Sequence, residues 1–304
     1  MAVATDTSEF RYLPAQAARF SVPAPAVERI ALPLADGRSL SALRFGEGAP
    51  EVTFLHGAGL NAHTWDAVVV LLGRPALVID LAGHGDSSWR ADHDYSPASL
   101  ASDVILAMTE WTTQPQVLVG HSLGGLTAAV VAARNPELVG ELVLVDVVPG
   151  LDTDAAPSVL REFYTVTDFE SRDEAVARAE SFGFGGSRED TERGVFLNTR
   201  VREDGRVEWK HHFAQIIGHA FDALNAANRA RDIADPWAAL AAVSAPVTLV
   251  RGTKGFLQDA DVAELTRRIP SATVITVDAG HNVQETDPAS LASAASDALT
   301  RTLR

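Results

Sequence analysis

The chain has 304 residues, of which 46% are hydrophobic and 21% are charged, so it can bury the core of one large domain. Its formal net charge of −15 makes nucleic acids and anionic membrane surfaces poor partners, and the chain has no cysteine for a disulfide, a zinc site or a nucleophile. No apolar run approaches the roughly 18 residues of a membrane span, and no secretory signal is visible, so we expect a cytoplasmic protein.

Residues 1–25 are rich in Ala and Pro and have no clear periodicity, which predicts an extended N-terminal segment. Two strand-like runs separated by Asp36 and Gly37 then predict an antiparallel hairpin. Short buried strands and amphipathic helices alternate after this hairpin. The predicted strands of this half are Val27–Leu34, Ser39–Phe45, Val52–Leu55, Ala76–Leu81, the run that begins at Val117, and Leu142–Val145. The alternation predicts an α/β fold with a mostly parallel sheet and helices on both faces.

The alternation stops over residues 150–240, which are rich in charged and aromatic side chains. A structureless loop of this length is improbable in a compact domain, so we predict a helical lid inserted at 150–240. The sheet resumes at Val247–Val250 and continues at Thr273–Val277, each strand being followed by a predicted helix. The predicted core therefore consists of residues 26–149 and 241–304.

The stretch Val117–Gly125 has the pattern of a strand, a tight turn with Ser122 at its apex, and a helix. It fits the G-x-S-x-G nucleophile elbow. Gly120 and Gly124 lack the Cβ atoms that would keep the strand and the helix apart. Ser122 would then lie at a helix N-terminus, where free N–H groups and the helix dipole stabilise a developing oxyanion. We therefore predict that Ser122 is a nucleophile.

A serine nucleophile needs a base within hydrogen-bond reach, and that base needs an orienting partner. The loops that begin at His56, Ser122, Asp146 and His281 all leave the carboxyl ends of predicted strands, so we expect them to meet at one edge of the sheet. We predict that His281 is the base. His121, next to the nucleophile, is predicted to line the substrate site.

At this point the chain resembles the α/β-hydrolases, and the resemblance covers everything except the N-terminal segment and the lid. The matching motifs, in the order of that family, are His56-Gly57, Gly83–Ser87, Gly120–Gly124 and Gly280-His281. The resemblance implies an eight-stranded sheet, a lid, a Ser–acid–His triad, and an oxyanion hole formed by the backbone N–H groups of Ala58 and Leu123.

The acid is where the chain departs from the family pattern, because Gly255 occupies the position at which many members have an Asp. Two alternatives remain. Asp146 follows the strand next to the elbow strand, which would fix its position rigidly. Asp259 or Asp261 could fold back from the loop after Val247–Val250, although the two also resemble a helix cap and a first-turn acid. We favour Asp146.

The predicted function is a cofactor-independent serine hydrolase that cleaves a carboxylic ester, thioester or lactone through an acyl-enzyme. The alternatives are a carbon–carbon bond hydrolase with the same triad, and a non-enzymatic relative that binds a ligand in the same site. No metal or phosphate site is predicted, because no His/Asp/Glu cluster or Gly-rich loop has the required spacing. The expected partner is a small-molecule substrate, and the oligomeric state stays open.

Overall fold

The structure, a computed structural model, describes residues 8–150, 158–216 and 237–302. The strands in these ranges are β1 (Val27–Pro33), β2 (Ser39–Phe45), β3 (Val52–Leu55), β4 (Ala76–Asp80), β5 (Gln116–His121), β6 (Val139–Val145), β7 (Asp168–Phe169), β8 (Thr199–Val201), β9 (Val207–Trp209), β10 (Val247–Lys254) and β11 (Thr273–Gly280).

The α-helices of the same ranges are α1 (Leu13–Arg19), α2 (Asp66–Leu72), α3 (Pro97–Trp111), α4 (Leu123–Arg134), α5 (Ser158–Phe163), α6 (Arg172–Ser181), α7 (Arg188–Asn198), α8 (Ala238–Ala241), α9 (Asp259–Arg268), α10 (Val283–Thr286) and α11 (Pro288–Thr302). Residues 213–216 are also helical. Short 3₁₀ helices lie at Glu9–Tyr12, Ala62–Trp65 and Pro136–Leu138. No helix among the described residues is long and apolar enough to cross a bilayer.

The central sheet has eight strands in the order β1-β2-β4-β3-β5-β6-β10-β11. β2 is antiparallel to both β1 and β4, whereas all other neighbours are parallel. The predicted α/β fold with a mostly parallel eight-stranded sheet is therefore confirmed. Gly120 of β5 pairs with Leu55 of β3 on one side and Leu144 of β6 on the other, so the loops after these three strands leave the same edge at the same level.

Apolar clusters cover both faces of the sheet. As a result, strands β3, β4 and β5 are buried along their whole length. On one face α3 and α4 pack through residues such as Leu100 and Val131. On the other face α1, α2 and α11 pack through residues such as Ala17, Val69 and Leu291. Burial on both faces explains why these strands are nearly continuous apolar runs rather than alternating ones.

The predicted extended conformation of residues 1–25 is wrong for the part that the structure describes. Glu9–Tyr12 and α1 are helical, and Ser8 caps the first of these helices by accepting a hydrogen bond from the Phe10 N–H. Leu13 and Ala17 lie one turn apart on the same face and are buried against the core. A helix this short depends on such tertiary packing, so its sequence carries little periodic signal.

The predicted helical lid over 150–240 is wrong in part, because its described residues combine helices with a small sheet. α5, α6 and α7 pack beside a three-stranded antiparallel sheet of order β7-β9-β8. An aromatic cluster that includes Phe163, Phe169 and Trp209 fills the space between them. The remaining predicted lid residues, 151–157 and 217–236, lie outside the described residues. The division of the chain into a core and a lid stays a prediction.

Candidate active site

Ser122 lies between the end of β5 and the start of α4 with φ 50° and ψ −120°. This backbone conformation is rare for a residue other than glycine, and the surrounding structure must enforce it. Close packing does so here: a Cβ atom on Gly120 would collide with the Gly124 carbonyl, and one on Gly124 would collide with the Leu55 carbonyl. The tight contact between strand and helix therefore holds Ser122 at the sheet edge, at the N-terminus of α4.

His281 follows β11 and forms a hydrogen bond with Asp146, which follows β6. His281 Nδ1 lies 2.8 Å from Asp146 Oδ2, and the Asp146 side chain has 0% exposure. The backbone N–H groups of Gly252 and Phe256 donate to the same carboxylate at 3.1 and 2.9 Å. A carboxylate only accepts, so Nδ1 of His281 carries the proton and Nε2 keeps a free lone pair. This arrangement is that of a base with an orienting acid.

His121 connects the loop of His281 to the elbow. Its Nε2–H donates to the carbonyl oxygen of His281 at 3.0 Å, and the two imidazole centroids lie 4.6 Å apart. The structure thus brings His281 to the residue that precedes Ser122. The Ser122 hydroxyl makes no hydrogen bond to His281 within the described part of the chain. In free enzymes this contact is often long and closes when substrate binds.

Asp259 and Asp261, the alternative acids, lie away from His281. Asp259 is 95% exposed and pairs with Arg251 at 2.6 Å. Asp261 accepts a hydrogen bond from the Gln258 N–H at 2.7 Å and completes the capping box of α9. Asp261 is therefore a capping-box residue, whereas Asp259 is the first residue of α9 and forms an exposed ion pair instead of a cap.

Gly255 explains the departure from the family pattern. A Cβ atom on residue 255 would collide with the Asp146 carboxylate. The carboxylate of Asp146 therefore fills the space that a side chain at position 255 would need. Only a glycine permits this close approach of the β10 loop.

The loop after β3 lies against the elbow. A Cβ atom on Gly57 would lie 3.3 Å from Ser122 Cβ. His56 holds this loop in place, because its Nδ1 donates to the Gly57 carbonyl at 2.8 Å and its Nε2 accepts from the Leu81 N–H at 3.0 Å. The backbone N–H of Ala58 in this loop donates to no acceptor within the described ranges, and neither does that of Leu123, the first residue of α4.

Two further imidazoles continue from His56: that of His84 packs beside it, and that of His211 packs on His84. His211 belongs to the insertion, by which we mean the described residues 158–216. His84 Nδ1–H donates to the Ala82 carbonyl at 3.1 Å, which leaves its Nε2 unprotonated. His211 Nδ1 accepts from the Ala214 N–H at 3.2 Å, so the neutral ring carries its proton on Nε2. The ring centroids lie 6.2 Å apart, and both Nε2 atoms are buried without a partner in the described structure.

We call His56, His84, His121 and His211 the neutral histidine cluster. Burial lowers the pKa of all four, to about 3 for His211. Charge repulsion from neighbouring imidazoles lowers the pKa of His84 and His121 further. These four rings therefore stay neutral near pH 7.

A second group, Glu9, Arg29, His63, Asp66 and Asp80, forms what we call the ion-pair cluster. Arg29 binds Glu9 at 2.6 Å and Asp80 at 2.7 Å, while His63 binds Asp66 at 3.0 Å and Glu9 at 3.2 Å. Burial alone would lower the pKa of His63, but the charge and hydrogen bond of Asp66, with help from Glu9, raise it to about 9. Asp80 also accepts hydrogen bonds from two backbone N–H groups and orders the turn after β4.

The insertion contributes aromatic side chains near the loop after β3. The Tyr164 hydroxyl would lie 3.0 Å from a Cβ atom on Gly59, and its ring meets that of His211 edge to face at 5.0 Å. His212 anchors the insertion, because its N–H donates to the Gly83 carbonyl at 2.8 Å and its ring stacks on Trp89 at 4.4 Å. The insertion thus contacts the core beside the elbow.

Glu9 and Phe256 are among the residues of this region that were not identified from the sequence. Glu9 lies in a stretch without periodicity, so nothing in the sequence points to its ion pairs. Phe256 stacks on the imidazole of His281. The only feature of the sequence that could have indicated this role is an aromatic residue directly after Gly255, at the end of a strand. No group of three or more His, Asp or Glu side chains within the described ranges could hold a metal ion.

Comparisons with known proteins agree with this architecture. A family model described as the alpha/beta hydrolase fold matches residues 50–288. The esterase Rv0045c of Mycobacterium tuberculosis is 39% identical over 302 residues, which cover 94% of each chain. Its crystal structure superimposes with a TM-score of 0.80 over 96% of this chain and 98% of that chain. The sn-1-specific diacylglycerol lipase ABHD11 of Mus musculus is 26% identical and covers 79% of this chain and 77% of its own length.

Proposed function

The chain belongs to the α/β-hydrolase family and is a hydrolase that acts on esters, and we propose that it is a serine esterase with Ser122, His281 and Asp146 as its catalytic triad. The observation that carries this proposal is the 2.8 Å hydrogen bond between His281 Nδ1 and the fully buried Asp146, next to the strained backbone of Ser122. It supports the triad because it leaves Nε2 of His281 free to take a proton.

In the proposed mechanism His281 Nε2 removes the Ser122 proton while Oγ attacks the ester carbonyl. Asp146 orients the imidazole and stabilises the cation that forms. The oxyanion is held by the N–H groups of Ala58 and Leu123, whose hydrogens are free within the described part of the chain. Each such donor contributes about 2.7–4 kcal/mol to the stability of the transition state.

His281 then returns its proton to the leaving alcohol, which departs and leaves an acyl group on Ser122. Water enters, His281 takes one of its protons, and the resulting hydroxide attacks the acyl carbonyl. The tetrahedral intermediate collapses to the free acid and the regenerated serine. The same sequence of steps applies to a thioester or a lactone, which stay within the proposed substrate range.

We further propose that the insertion acts as a lid that excludes water and selects the substrate. Its contacts support this role, because Tyr164 lies against Gly59, one residue beyond the proposed oxyanion donor Ala58. His121, buried and neutral beside Ser122, is proposed to line the substrate site. The substrate is a small molecule, and a location in the cytoplasm stays a prediction.

The test combines active-site labelling with turnover. The parent protein should react rapidly with a fluorophosphonate probe and hydrolyse p-nitrophenyl butyrate. Ser122→Ala should abolish labelling and lower kcat by about 10⁴–10⁶-fold. Ser102→Ala, which changes an exposed serine on α3, is the matched control and should behave like the parent.

Two results would contradict the proposal. A parent protein that neither labels nor turns over would favour a ligand-binding relative without catalysis. Turnover that survives in Ser122→Ala would exclude Ser122 as the nucleophile. A diketone substrate assayed in parallel separates ester hydrolysis from carbon–carbon bond hydrolysis.

A further inference from the structure

Phe256 is a large apolar side chain that stays 48% exposed at the end of the β10 loop. One face of its ring lies on the imidazole of His281, with centroids 3.9 Å apart and an interplanar angle of 17°. A nearly parallel stack at this distance is full van der Waals contact between the two rings. The exposed aromatic ring therefore covers one face of the proposed base.

The backbone of the same residue holds the proposed acid. The Phe256 N–H donates at 2.9 Å to Asp146 Oδ2, the oxygen that also accepts from His281 Nδ1. Gly255 allows the loop to approach this closely, because any Cβ atom there would collide with the carboxylate. The hydrogen bond that orders Asp146 thus also determines where the Phe256 ring lies.

His121 restricts the His281 ring from another direction. Its ring lies 4.6 Å from that of His281 at an angle of 51°, and its Nε2–H binds the His281 carbonyl. The imidazole of His281 therefore has three restraints: an in-plane hydrogen bond to Asp146, the stacked ring of Phe256, and the tilted ring of His121.

We infer that Phe256 is a positioning residue for the proposed reaction: its side chain keeps the imidazole of His281 in the plane defined by Asp146 and stabilises the imidazolium formed when Ser122 is deprotonated. The inference rests on the proposed function. A cation over the face of an aromatic ring within about 6 Å is attracted by the ring quadrupole. Stacking also opposes rotation of the imidazole toward solvent.

Few other charged groups in the described structure would affect the protonation of His281. Asp146 binds it from the end of β6, and neutral His121 faces it from the end of β5. At the ends of β10 and β11, Lys254 pairs with Asp278 at 2.8 Å, so their charges largely cancel. A change in the protonation of His281 on replacing Phe256 can therefore be assigned to the lost ring.

The experiment compares Phe256→Leu with Phe256→Tyr in the full-length protein. kcat and KM for p-nitrophenyl butyrate are measured between pH 5 and pH 9, and the His281 ring protons are titrated by NMR. Leucine keeps the apolar bulk of the Phe256 side chain but removes its aromatic face, whereas tyrosine keeps both. In Phe256→Leu the midpoint of the acidic limb of the pH–activity profile should fall by about 0.4–0.7 pH unit. This shift corresponds to the loss of a cation–π contact at an exposed site.

In the same variant kcat should fall about 2–5-fold with little change in KM, because the stacked ring acts on the base and its cation rather than on bound substrate. The upfield ring-current shift of the His281 protons should disappear. Phe256→Tyr should keep the midpoint, kcat and ring-current shift. Leu106→Ala, which removes another exposed apolar side chain on α3, is the matched control and should match the parent in all measurements.

The outcomes separate the two proposals. An active parent whose midpoint and kcat are unchanged in Phe256→Leu would overturn the role of Phe256 alone. A rise in KM without a change in kcat or midpoint would also overturn it and would make Phe256 a substrate contact. A parent without Ser122-dependent turnover would overturn the proposed function, while the NMR titration still reports whether the rings stack.

Discussion

The ion-pair cluster and the neutral histidine cluster both bury imidazoles almost completely, yet their histidines have opposite protonation states. In the ion-pair cluster the pKa of His63 rises to about 9, whereas in the neutral histidine cluster burial lowers the pKa of His211 to about 3. The difference is the partner. His63 binds the carboxylates of Asp66 and Glu9, while His211 accepts a hydrogen bond from a backbone N–H.

This comparison shows how the charged form of one imidazole near Ser122 can be stabilised when the charged forms of its neighbours are not. Burial disfavours the charged form of every ring in the region, and only a carboxylate partner compensates for it. Among the histidines around the elbow that the structure describes, His281 is hydrogen-bonded to a carboxylate, and the four rings of the neutral histidine cluster are not. In the proposed mechanism this carboxylate distinguishes His281 from its neighbours as the ring that accepts the Ser122 proton.

The largest effect is expected from removing the carboxylate that distinguishes His281. Asp146→Asn keeps the size of the side chain but removes its charge and reverses the hydrogen bond to Nδ1, so kcat should fall by about 10⁴-fold. Steady-state hydrolysis of p-nitrophenyl butyrate measures the loss, and circular dichroism checks the fold. Asp259→Asn, on the exposed alternative acid, is the control and should retain parental activity. Parental turnover in Asp146→Asn would exclude it as the acid.

The second test removes a carboxylate from the ion-pair cluster. Asp66→Asn should lower the free energy of unfolding at pH 7 by about 2–3 kcal/mol, because the raised pKa of His63 stabilises the folded protein. For a base with a raised pKa, this stability is fully present below pH 6.5 and is lost as the pH rises through about 9.

Urea unfolding of both proteins at several pH values provides the measurement. The difference between parent and Asp66→Asn should therefore shrink toward pH 9 and above. Asp259→Asn serves again as the control, since an exposed pair should show no such pH dependence. A difference that stays constant from pH 6 to pH 10 would show that His63 is not charged in the folded protein.

The third test concerns the neutral histidine cluster, for which the free energy of unfolding should change with pH in the opposite direction. The folded protein resists protonation of His211, whose pKa is about 3, while the unfolded chain takes up the proton near pH 6.5. Stability is therefore lost as the pH falls below 6.5, by about 2 kcal/mol at pH 5. His211→Phe should remove this loss, so its unfolding free energy should change less between pH 7.5 and pH 5 than that of the parent.

His93 offers the matched control for this measurement, because it is an exposed histidine in the same region. His93→Asn should lose stability toward acid to the same extent as the parent, since Asn tolerates the positive φ of 55° at this position. Equal acid sensitivity of His211→Phe and the parent would mean that His211 is readily protonated in the folded state.

Regular parts of the fold were predictable because local periodicity and burial agree there. The buried strands β2 and β3 have the predicted bounds, and helices follow β10 and β11 as predicted. The N-terminal segment and the insertion were predicted less well. α1 and the strands β7, β8 and β9 are short. Tertiary packing stabilises them more than the helix or strand propensities of their own residues do.

The sequence by itself determined the α/β fold, the strained elbow at Ser122 and the set of polar residues at the carboxyl edge, because the nucleophile motif and the strand pattern are local. Only the tertiary structure decided which carboxylate meets His281 and what covers its ring. The residues involved follow three different strands: Asp146 follows β6, Gly255 and Phe256 follow β10, and His281 follows β11. Their contacts depend on the order of these strands in the sheet. Sequence spacing carries no record of that order, since neighbouring strands in a parallel sheet are separated by long connections.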